Sequence, residues 1–135
     1  MKKILLLSVI LLSFSNVQGQ TADYYISNGN IMLKKGNTTS IFEYGYSSNP
    51  ILDFAEGKLN GKYYLIYWRL NGESKICTVR EDGTWSEQND FRCECGKQIT
   101  KIKFIDSETL IITCNNGSRY KKTINSGGGG SESSY

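Results

Sequence analysis

The chain has 135 residues, with 16 Lys and Arg against 13 Asp and Glu, four Cys, one Pro and no His. Lacking imidazole, it excludes Ser-His-Asp and Cys-His catalysis and every His-ligated metal site, since those chemistries need that base and ligand. The small charge excess carries no basic run, so no nucleic-acid partner is expected.

Met1-Lys2-Lys3 precedes the apolar run Ile4–Leu12, which Ser13, Ser15 and Asn16 dilute before Val17-Gln18-Gly19. This three-part pattern predicts that residues 1–19 are a secretory signal peptide cleaved after Gly19. The run falls far short of the ~20 apolar residues that cross a bilayer, and no second run follows. The expected product is secreted or periplasmic, without membrane insertion. Loss of Lys2 and Lys3 leaves 14 bases and 13 acids in 116 residues. That length suits one domain, expected over residues 20–125.

The predicted strands follow in order: Tyr24–Ser27, Ile31–Lys35, Thr39–Tyr46, Ile51–Ala55, Lys62–Leu70, Ser74–Arg80, Thr84–Glu87, Ile99–Ile105, Thr109–Cys114 and Ser118–Ile124. They are rich in β-branched and aromatic residues. Asn28-Gly29, Asn60-Gly61, Asn71-Gly72, Asp82-Gly83 and Asn116-Gly117 separate them, dipeptides that favour type I′ hairpins. Lys62–Leu70 and Thr109–Cys114 are apolar on both faces, as for strands inside a layered structure. Lys101, Ile102, Lys103 and Phe104 alternate, as for a strand with one wet face. The fold class is therefore all-β, an antiparallel meander. Residues 126–135 are Gly and Ser apart from Glu132 and Tyr135, with little to bury, and are expected to form a flexible tail.

Three of the Asn-Gly turns, at 28–29, 71–72 and 116–117, are spaced 43 and 45 residues apart, each between two strands. The stretch Ile102–Asp106, Leu110–Cys114 and Asn116–Ser118 resembles a β-propeller blade of the WD40 type. The signature Gly-His and Trp-Asp dipeptides are missing, and propellers close with four or more blades. The resemblance implies an incomplete propeller-like array that further copies of the chain would close. The favoured alternative is a small sandwich or barrel.

Cys77, Cys93, Cys95 and Cys114 all follow the leader, and an even number in an exported chain implies disulfides. Cys93–Cys95 is discounted, because alternate residues of a strand share a face without bridging geometry. Of the two remaining connectivities, Cys77–Cys93 with Cys95–Cys114 is preferred, since each pair brackets one strand or hairpin. A Cys₄ zinc site would present Cys-x₂₋₄-Cys knuckles, so no metal or other cofactor is expected.

One enzymatic option survives: a carboxylate pair, Asp53 with Glu56, acting as a small hydrolase. The aromatics point to binding instead. Nine Tyr and two Trp exceed what a small core can enclose with every polar tip satisfied. Tyr44, Tyr46 and Trp85 lie near strand ends, where they can stack on a sugar or anchor a protein. Asn116-Gly117-Ser118-Arg119-Tyr120 is similar to the Ser-Gly-x-Arg-Tyr loop of periplasmic inhibitors of C-type lysozyme. That likeness implies that Ser118 and Arg119 would reach into an enzyme cleft. The expectation is a non-enzymatic binding module for a protein or carbohydrate, with Tyr46, Trp85, Ser118 and Arg119 at its surface.

Overall fold

The computed structural model describes residues 22–93, 98–124 and 130–134. The leader 1–19 with its cleavage point, Cys95, residues 125–129 and Tyr135 lie outside them. The described residues form eleven strands: β1 Asp23–Ser27, β2 Asn30–Lys35, β3 Thr38–Glu43, β4 Ile51–Leu59, β5 Lys62–Arg69, β6 Ser74–Val79, β7 Trp85–Asp90, β8 Ile99–Phe104, β9 Thr109–Cys114, β10 Arg119–Ile124 and β11 Gly130–Ser134. They form three antiparallel sheets in chain order, β1–β3, β4–β7 and β8–β11. No sheet closes into a barrel, and each unit of the 43- to 45-residue sequence spacing supplies one sheet.

The middle sheet is covered on both faces, as the two-sided apolar pattern of β5 requires. Ile66 and Trp68 face the third sheet and meet Ile102, Leu110, Ile112 and Ile124 in one core. Leu65, Tyr67 and Cys77 face the first sheet and meet Ile31, Leu33 and Phe42 in the other. Burial of each such large apolar side chain stabilises by roughly 1.5–3 kcal/mol. β9 is buried on both faces as well: Leu110 and Ile112 enter the core, and Ile111, on the opposite face in register with Lys103 and Lys121, is also buried.

Two of the five predicted turns are type I′, with positive φ at both Asn28-Gly29 and Asn60-Gly61. In the other three only the glycine has positive φ. There the Oδ1 atoms of Asn71, Asp82 and Asn116 accept from the amides of Glu73, Thr84 and Ser118, an alternative that short polar side chains offer the backbone.

β3 ends at Glu43 rather than Tyr46, while β4 and β7 run further than their polar residues predict. Cross-strand pairing holds these polar segments: Glu56 pairs with Leu65, and Asn89 with Ile76. The expected flexible tail differs too. Gly130–Ser134 pairs antiparallel with β10, because main-chain hydrogen bonds need no apolar side chain. No helix among the described residues is long and apolar enough to cross a membrane.

Candidate functional site

Between β3 and β4 the chain leaves the sheet as the loop 44–50. Gly45 approaches the β1–β2 turn so closely that its amide donates to Asn30 Oδ1 at 2.7 Å. The Ile51 amide donates to the Gly29 carbonyl at 3.0 Å, and the Leu70 amide to the Pro50 carbonyl at 3.0 Å. Within the loop, Tyr46 and Asn49 form a small antiparallel bridge.

Arg69, the last residue of β5, secures the loop from below. It is 5% exposed. Its Nη2 donates to the Tyr44 carbonyl at 2.9 Å and its Nη1 to the Asn49 carbonyl at 3.3 Å. Its Nε pairs with Glu73 at 3.3 Å. The guanidinium lies 5.3 Å from the ring centroids of both Tyr46 and Tyr67, the stacking that a planar cation favours. Tyr44 and Tyr46 are thus held in place while 61% and 63% exposed.

Leu70, 57% exposed, continues this surface. It opens onto a cleft of about 620 Å³ that Asn71, Glu73, Phe91, Arg92 and Gln98 also line. The three repeated Asn-Gly turns converge at this end of the stack. Gly29 touches Pro50, and Asn71 donates to Asn49 Oδ1. Gly72 sits against Gln98, whose carbonyl accepts from Asn115. Ser118 and Arg119, at the start of β10, therefore share an end with Tyr46. Trp85 does not. It heads the edge strand β7 opposite Val79, at the other end, 37% exposed.

Asp53 and Glu56 do not converge. Asp53 pairs with Trp68 and Glu56 with Leu65, on opposite faces of the sheet, as residues three apart on a strand must be. Glu56 instead accepts a hydrogen bond from the Tyr63 hydroxyl. Burial, reinforced by that bond, holds the hydroxyl above the ordinary tyrosine range. Among the described residues no cluster of three or more Cys, Asp or Glu could hold a metal ion.

The preferred Cys77–Cys93 pairing is corrected. Cys77 is a thiol sealed in the core between the first and middle sheets. Cys93 packs against the core on the other side of the middle sheet, its sulfur 3.9 Å from that of Cys114. No disulfide joins two of the described cysteines. Burial pushes the Cys77 thiol up to about 11, opposed in part by the Gln88 amide. Iodoacetamide at neutral pH is therefore expected to label Cys77 only after unfolding, because a buried neutral thiol is a poor nucleophile. Mass mapping that finds Cys77 labelled in the folded protein would refute its burial.

Arg69 and Leu70 were not among the candidates from sequence. The available signal was a cation closing the two-sided apolar run 63–68, where a charge must find partners or be excluded. Comparison of the chain with protein-family models, curated proteins and solved structures finds no match.

Proposed function

We propose that the chain is an exported, non-enzymatic binding module that engages a protein or carbohydrate partner through Tyr44 and Tyr46. The observation that carries this is the clamped loop. Two tyrosines stand 61% and 63% exposed on backbone that Arg69 holds by two carbonyls. An exposed aromatic fixed beforehand loses little entropy on binding, so more of its contact energy appears as affinity. Leu70 and the adjoining cleft extend the footprint. Ser118 and Arg119 at the same end support inhibition of an enzyme as one form of this activity. Export rests on the leader pattern of residues 1–19. A bridge between Cys95 and Cys114 is retained, with Cys93 as the competing partner for Cys114. The sheet-per-repeat arrangement supports reading the sheets as blade-like units.

Capture from the native extracellular milieu tests the proposal. Tyr44→Ala and Tyr46→Ala are each expected to weaken capture by roughly 1–3 kcal/mol, about 5- to 150-fold, with the fold intact. Trp85→Ala, Asp53→Asn and Glu56→Gln should change it little. Hydrolysis of a glycan or peptide that disappears with Asp53→Asn or Glu56→Gln would refute the binding reading.

A further inference from the structure

Although the chain is nearly neutral after loss of its leader, the fold separates its charges. On the third sheet Ile102, Leu110, Ile112 and Ile124 point into the core, so alternation sends Lys101, Lys103, Ile111, Thr113, Arg119 and Lys121 outward. Register aligns them in two rows across the sheet, Lys103–Ile111–Lys121 and Lys101–Thr113–Arg119. All four cations are exposed. With strands ~4.8 Å apart and alternate residues ~7 Å apart, their Cα atoms mark a rectangle of roughly 10 by 7 Å. Among the described residues β8, β9 and β10 place no acid on this face, and Lys101, Lys103 and Lys121 enter no ion pair. Lys122 points the other way, over the Phe91 ring. Asp106, in the β8–β9 turn, feels Lys121, but the Glu108 amide and Thr109 are the larger causes of its lowered carboxyl pKa.

We infer that this outward face binds a linear anionic polysaccharide. The repeating cation grid matches a chain carrying sulfate, phosphate or carboxylate groups every one or two sugars. Thr113 and Thr123, on the same face, offer hydroxyls to sugar hydroxyls. A membrane surface fits less well, because the central Ile111 is 7% exposed and β8, β9 and β10 turn no other large apolar side chain outward for insertion. A nucleic acid also fits less well, since those strands place no aromatic on this face for base stacking. The inference is independent of the tyrosine loop.

Heparin is the probe, with the purified protein and variants that suit a strand. Lys103→Thr with Lys121→Thr is expected to weaken heparin binding at least tenfold at roughly 0.1 M salt. The slope of log affinity against log salt should become shallower by about two. Lys34→Thr with Lys58→Thr removes equal charge from other sheets and should cost less than twofold. Thermal melts check that each variant folds. Equal losses in both double variants would overturn the inference, as would no loss in either. Tighter binding to phosphatidylserine vesicles, or to duplex DNA, than to heparin would overturn the polysaccharide assignment.

Discussion

Replacing Arg69 with alanine is expected to destabilise the protein by about 3 kcal/mol and to release the loop that carries Tyr44 and Tyr46. The guanidinium is buried, donates to two carbonyls of the loop and lies beside two tyrosine rings. Its pairing with the half-exposed Glu73 contributes little by itself, because water screens that carboxylate. Most of the loss comes from the carbonyls and from the cavity left under Tyr46. Lysine should not rescue, since one ammonium cannot hold both carbonyls and stack as a plane. A urea midpoint shift, a melting temperature lower by about 10 °C and faster cleavage within 44–50 are the expected readouts. Wild-type stability in Arg69→Ala would show that the loop stands without its clamp.

Gly45→Ala is expected to cost about 2–4 kcal/mol through a different physical cause. A Cβ at position 45 would lie 1.8 Å from the Gly29 carbonyl oxygen and 3.2 Å from the Ile51 nitrogen. Both neighbours are backbone, so relief requires moving the loop off the β1–β2 turn. That movement breaks the bonds from Gly45 to Asn30 and from Ile51 to Gly29. Gly45 is not among the residues with positive φ. Backbone entropy alone would therefore make alanine stabilising by ~0.4–1 kcal/mol, and the sign of the measured change separates the two accounts. Gly36→Ala is the control. Position 36 has φ of 62° and nothing within 4 Å of an added Cβ, so its cost should be about 1 kcal/mol from strain alone. A stabilised Gly45→Ala protein would refute the close approach.

Much of the architecture was legible because its causes are local. The Asn-Gly and Asp-Gly pairs announce hairpins through the φ values that their residues tolerate, and the two-sided apolar run of β5 announces a strand with no wet face. The tyrosine loop was legible only as aromatics near a strand end. The local pattern makes Tyr46 the close of a strand, since nothing in 39–46 reveals that Gly45 will meet Gly29, 16 residues earlier. The Cys77–Cys93 pairing followed sequence proximity and failed because alternation on β6 turns Cys77 toward the first sheet, away from the core that Cys93 joins.

The sequence by itself determined most of the strand content, the antiparallel order and the hairpin positions, all of them consequences of side-chain period and turn chemistry over a few residues. Which sheets stack on which, and therefore which side chains converge, was decided only in three dimensions. The middle sheet takes both cores, so Arg69 is buried under Tyr46 and Asp53 is parted from Glu56. The outer face of the third sheet gathers four exposed cations, on strands that place no acid there among the described residues. These outcomes depend on contacts between residues distant in sequence, whose pairing is set by the joint burial of all three sheets rather than by any local preference.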